Sequence, residues 1–261
     1  MFGLLTGRRR ASLRSREFPH SWLHIVQRNV PVFKRLTKED QRELLGHAQV
    51  ILDEKYFEGC GGLDLTDEVR VTIAAQACLL LLHRDTDYFP HLTSILVYPT
   101  GYSVEDERHV GGGVWEEGPE DRVGHTSSQL RALVLAWDAV LNGAANPADG
   151  WNVVLHEFAH QLDFENKNAD GTPALGGYGD YVAWSKVMSR ELEALRRADA
   201  LGATTLLDTY GATNPTEFFA VATEVFFERP KALRARHPDL YAQLQRFFKQ
   251  DPVEFSSELG D

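Results

Sequence analysis

A chain of 261 residues that is 43% hydrophobic and 25% charged has material for one sizeable core, which excludes a disordered or fibrous protein. Its formal charge of −11 repels phosphate backbones, so no direct nucleic-acid binding is expected. Two cysteines, Cys60 and Cys78, lack CxxC spacing; they exclude a disulfide framework and leave any metal site to histidines and carboxylates.

Residues 1–25 read as a flexible basic tail carrying Arg8, Arg9, Arg10, Arg14 and Arg16. The remainder, 26–261, reads as a single domain, helical up to about residue 90 with a catalytic core from about 91 onward. Thr37 is an N-cap candidate for a helix whose apolar positions Leu44, Leu45, Ala48, Ile51 and Leu52 follow helical spacing. Thr66 does the same for a second helix carrying Val69, Ile73, Ala74, Ala77, Leu80 and Leu81, with Cys78 as a small core residue. The apolar run around Ala77 to Leu82 is far below the ~18 residues of a membrane span. Neither a span nor a signal peptide is expected, and the setting reads as cytoplasmic.

Ser94–Tyr98 reads as a strand ended by Pro99 and Gly101. Gly111-Gly112-Gly113 lacks the spacing of a phosphate-binding loop and is expected as a turn or bulge between strands. Ala132–Trp137 reads as a further strand, ended by the turn signals Asn142-Gly143 and Pro147. Strands separated by irregular loops argue against a regular parallel α/β fold. Helical character returns over Val153–Asp163, followed by a Gly-rich loop from Glu165 to Gly179, an amphipathic helix over Tyr181–Leu195, a helix start at Asn214-Pro215 and a final helix through Leu240–Phe248. The expected fold class is α+β, helix-rich with a small central β-sheet.

The chemistry concentrates in His156-Glu157-Phe158-Ala159-His160. Residues four apart in a helix lie about 40° apart around the axis, so both imidazoles project from one face and can reach one zinc. Glu157 lies about 100° from His156, near enough to a water on that metal to act as general base without ligating. The apolar flanks Val153, Val154, Leu155, Phe158, Ala159 and Leu162 place the motif on a buried helix, where bare histidines and a glutamate would be costly without a metal or partners. A third ligand is required. Asp163 reads as a carboxylate orienting a histidine. Glu217 and Glu224, seven apart on one apolar helix, compete for the ligand position, and spacing does not choose between them. His109 and His125 are further candidates for the cleft.

The motif HEFAHQLD, followed by Tyr210-Gly211-Ala212-Thr213-Asn214-Pro215-Thr216-Glu217-Phe218-Phe219-Ala220, resembles the Mlc titration factor A family of bacterial metallopeptidases. It is more distantly similar to the catalytic domain of anthrax lethal factor. The resemblance covers most of the chain and is strongest from about Leu133 to Phe227. It implies a zincin-like domain of the gluzincin type: one Zn2+ held by His156, His160 and Glu217, Glu157 as general base, and Tyr210 as a donor to the oxyanion. It also implies a cytoplasmic protein that binds the Mlc transcriptional repressor and so affects the glucose phosphotransferase system.

Three readings follow. The leading one is an active zinc peptidase on a peptide or protein substrate, with aminopeptidase action as one form it could take. Another is a non-catalytic or self-inhibited regulator that sequesters a transcription factor. The third, a non-peptidase zinc hydrolase, is weaker because a glutamate carried between the two histidines suits amide hydrolysis.

Overall fold

Thr37 and Thr66 fix the first two helices of the domain as their positions predict. In the computed structural model, Thr37 Oγ1 accepts from Asp40 N at the start of α3 (Lys38–Glu54), and Thr66 Oγ1 accepts from Val69 N at the start of α4 (Asp67–Leu79). The structure describes residues 2–109, 115–122, 124–127 and 131–255, and the side chains of 5–101 and 131–255. The glycine triplet 111–113 lies outside the described residues, as do the side chains of His109 and His125.

The basic N-terminal segment is helical where a tail is expected: α1 spans Phe2–Arg14 and α2 spans His20–Asn29. Leu13 is buried, and the Arg10 guanidinium forms a two-pronged bond to Glu54, at 2.8 and 2.9 Å. Arg9 and Arg10 are helix residues with carboxylate partners on α3, Asp53 and Glu54, each forty-four positions away in sequence.

The sheet is small and mixed. Strands β1 (Tyr56–Gly59), β2 (Ser94–Tyr98) and β6 (Ala132–Ala136) run parallel, and β5 (Gly124–Ser127) joins β6 antiparallel, giving the order β1-β2-β6-β5. A separate antiparallel pair is made by β3 (Tyr102–His109) and β4 (Trp115–Arg122). The last parallel strand stops earlier than expected, because Trp137 already opens helix α5 (Trp137–Ala145). Asn142-Gly143 therefore lies inside a helix and makes no turn. Gly143 is there for a close approach: a Cβ on it would stand 3.0 Å from Asn152 Cα.

Helices α4, α6 (Val153–Asp163) and α8 (Pro215–Glu228) are buried almost all round, as interior helices rather than half-wet ones. Helix α6 packs against α8, α4, α5 and the edge of the sheet at β5 and β6. Outside them lie α7 (Tyr178–Ala200), α9 (Pro230–Arg236) and α10 (Pro238–Phe248). Trp184, Phe219, Phe226, Phe227, Phe247 and Phe248 form edge-to-face and stacked contacts that join α7, α8 and α10. The architecture is the helix-rich α+β domain expected, with a small sheet packed against α6.

Candidate metal centre

Asn152 starts the helix that carries the motif. Its Oδ1 accepts from Val154 N and Leu155 N, both at 3.1 Å, and so caps α6. One turn in, His156 and His160 face the same way, with ring centroids 4.8 Å apart and planes at 84°. Across from them, Asn214 caps α8 by accepting from Glu217 N at 2.9 Å, and Pro215 occupies the first turn. This leaves the Glu217 side chain free to turn toward α6.

Glu217 Oε2 lies 3.0 Å from His156 Nε2 and 3.4 Å from His160 Nε2. His156, His160 and Glu217 thus form a group whose ligand atoms all lie within 4.8 Å of one another and could hold a metal ion. Ligands at 2.0–2.1 Å in a tetrahedral arrangement stand about 3.3 Å apart, so the observed spacing suits a small divalent cation. The donor types, two imidazole nitrogens and one carboxylate oxygen, suit it equally.

The two glutamates that spacing leaves equivalent have different partners. Glu224, only 3% exposed, places Oε2 3.1 Å from His156 Nδ1 and accepts from Asn152 N through Oε1 at 2.7 Å. It holds the far side of the His156 ring and keeps Nε2 toward Glu217. Asp163 is fully buried but does not orient a histidine as expected. Its Oδ2 accepts from Gly171 N at 2.9 Å, and among the described residues Asp163 Oδ1 and His160 Nδ1 each lack a hydrogen-bond partner. The cause is the loop after α6. Gly171 has φ of 75°, and a Cβ there would come within 2.3 Å of Pro215 O, so the loop passes close over the start of α8 and takes the Asp163 carboxylate.

A polar network backs the site that sequence reading missed. Asn152 Nδ2 donates to Gln76 Oε1 and Glu228 Oε1, and Gly150 N donates to Glu228 Oε2. Its one visible signal was an Asn directly before the apolar run of α6; Gln76 and Glu228 carry no signal of their own. Burial works against a charged His156, but the bonds to Glu217 and Glu224 outweigh it and lift its pKa to about 10. Burial likewise works against a charged Glu217, and the two histidines reverse that, holding its carboxyl well below the usual range. Burial pushes Glu224 up, and Glu228 up to about 9. Glu157 is 5% exposed, on the helix between the two histidines. Tyr210 lies in a short 3-10 turn ahead of α8; it is 55% exposed, with its ring 6.0 Å from that of His156.

The family described as glucose-regulated metallo-peptidase M90 matches residues 5–249. The chain belongs to the M90 metallopeptidase family. This M90 member is 38% identical over 245 residues to an uncharacterized protein of Synechocystis sp., covering 94% of this chain and 89% of that one. It is 33% identical over 227 residues to Mlc titration factor A of Serratia proteamaculans, covering 86% and 85%, and 31% identical over 228 residues to that of Edwardsiella ictaluri, covering 86% of each. Membership implies a metal, and the His156, His160 and Glu217 group is where the described residues could hold it. Among the described residues, no helix is long and apolar enough to cross a membrane.

Proposed function

We propose that this M90 member is a zinc peptidase, with His156, His160 and Glu217 holding one zinc per chain, Glu157 as general base and Tyr210 as oxyanion donor. The observation that carries the reading is the convergence of two imidazole Nε2 atoms on one Glu217 oxygen. When bound, the metal supplies a Lewis acid toward the scissile carbonyl and lowers the pKa of a water in the site. Glu157 takes the proton from that water and passes it to the leaving amine. Glu224 and the Asn152 network hold the His156 ring in one orientation, so the site is preorganised and need not be assembled on substrate binding. Tyr210, whose ring lies 6.0 Å from that of His156, donates its hydroxyl to the oxygen that becomes negative as the carbonyl is attacked.

Metal analysis of purified protein, combined with a peptide-library cleavage profile, tests this. The expected result is one zinc per chain and cleavage that a chelator abolishes and zinc restores. Another metal at full occupancy would change the cofactor, and absence of cleavage with zinc bound would remove the peptidase. The profile also separates aminopeptidase action, which requires a free N-terminus on the substrate, from cleavage within a chain.

A second reading rests on the name Mlc titration factor A borne by relatives at 33% and 31% identity. On it, the chain also binds the Mlc repressor in the cytoplasm, withdrawing it from DNA. Calorimetry with purified Mlc decides this, and Glu157→Gln should leave that affinity unchanged if binding is separate from catalysis.

A further inference from the structure

A pocket of about 380 Å³ lies where the turn after α4, the loop ahead of α7 and the end of α10 meet. Arg84, Arg246 and Lys249 line it, with Trp184 and Phe247 as apolar wall. Arg84 is the unusual member. Its side chain is only 10% exposed, and its guanidinium stacks over the Phe247 ring at 4.1 Å. Among the described residues, its one carboxylate partner, Glu165, stays 3.8 Å away, too far for a hydrogen bond, and Arg84 Nη1 is buried with no hydrogen-bond partner. A guanidinium taken out of water is costly unless a partner satisfies its donors. The structure holds the cation in place and leaves it under-satisfied.

The rim is mixed. Arg246 lies 3.5 Å from Asp180 and is 67% exposed, and Lys249 and Asp85 are exposed as well. Exposed charges of this kind are hydrated and screened, whereas the buried Arg84 is not. The C-terminal carbonyls of α10 disfavour an anion, so side chains must supply the attraction.

We propose that this pocket binds a small molecule bearing a phosphate or carboxylate group, with Arg84 as the buried anchor. Arg246 and Lys249 add charge from the rim, and Trp184 and Phe247 face the apolar part of the ligand. Trp184 is itself held by its Nε1, which donates to Gly171 O at 3.0 Å. None of His156, His160 and Glu217 is among the residues lining it.

Calorimetric titration of the metal-loaded protein with phenyl phosphate and with benzoate tests the proposal, and the two arms separate phosphate from carboxylate. Saturable binding is expected in at least one arm. The double variant Arg246→Glu with Lys249→Glu, at exposed positions that do not endanger folding, should weaken it by about tenfold or more. Arg84→Gln should abolish it, with circular dichroism confirming the fold. No saturable heat in either arm up to about 10 mM would overturn the proposal. So would undiminished binding in the double variant, which would place the anion elsewhere, the metal centre included.

Discussion

Among the described residues, two places bring one or two histidines together with carboxylates closely enough to hold a metal: His156, His160 and Glu217 in the core, and Asp40, Glu43 and His83 nearer the surface. Proximity is the same in both, but support is not. In the core, each member projects from an interior helix, and the His156 ring is fixed from behind by Glu224, itself held by Asn152 N. At the surface, the donors are already used on each other and on the backbone. Glu43 Oε1 accepts from His83 N at 2.9 Å, Asp40 lies 3.1 Å from His83 Nε2, and the His83 side chain is 41% exposed. A bound metal in the core replaces an arrangement of half-buried groups that water cannot fully solvate; at the surface it would compete with water and existing bonds.

The widest separation between the two clusters should appear in turnover. Glu157→Gln keeps the shape of the side chain and removes the base of the proposed mechanism, so peptide cleavage should fall by about 10²–10⁴-fold with metal content unchanged. Unchanged cleavage would end the proposed mechanism. In metal content, Glu217→Ala should lose most of the bound zinc, and Glu43→Ala should lose none. The reverse result would move the centre to the surface cluster. Glu224→Gln should weaken zinc by about 10–100-fold in competition with a chelator, because it leaves the three donors in place and loosens only the His156 ring. An effect as large as that of Glu217→Ala would make Glu224 the ligand instead.

Stability against pH probes the same buried side of the comparison. Glu228 has a carboxyl lifted to about 9 by burial, although Asn152 Nδ2 and Gly150 N both donate to it; Asp149 and Glu224 add to the rise. A folded pKa above the unfolded value means the folded state binds the extra proton. Its contribution is present in full below about 4.5 and is lost as pH climbs toward 9, at no more than about 1.4 kcal/mol per pH unit. Denaturation midpoints of the wild type should therefore fall more steeply between pH 5 and 9 than those of Glu228→Gln. Parallel curves would show that Glu228 titrates normally.

What the sequence made legible follows from the range of the forces involved. Thr37, Thr66 and Asn214 act within one helical turn, and the helix starts they mark are where the structure has them. The HEFAH spacing likewise needs only the helical repeat. Glu217 and Glu224 share one face of α8, so periodicity treats them alike; what separates them is how far along α8 each meets α6, which only tertiary packing decides. Asp163 lay on the right face to orient a histidine, but the hydrogen bond it accepts comes from Gly171 N, eight residues on. Arg10 reads as a tail residue until its partner Glu54, forty-four residues distant, is in place. The parallel pairing of β1, β2 and β6 is non-local in the same way. The anchor of the Arg84 pocket, too, is an ordinary arginine in sequence, made unusual by the aromatic ring it stacks on.

The smallest effect belongs to the surface cluster and completes the comparison. His83 sits in the left-handed region at φ 61°, where Asn is tolerated better than most side chains. His83→Asn therefore removes the imidazole from Asp40 and Glu43 without adding backbone strain. Ion pairs with an exposed partner, as His83 is here, contribute about 0–1 kcal/mol, so the melting temperature should move by no more than about 4 °C. Zinc stoichiometry and cleavage should stay at wild-type levels. Loss of a metal equivalent in this variant would mean that the surface trio binds an ion after all, and that proximity alone, without the supporting contacts seen around His156, is enough to make a site in this fold.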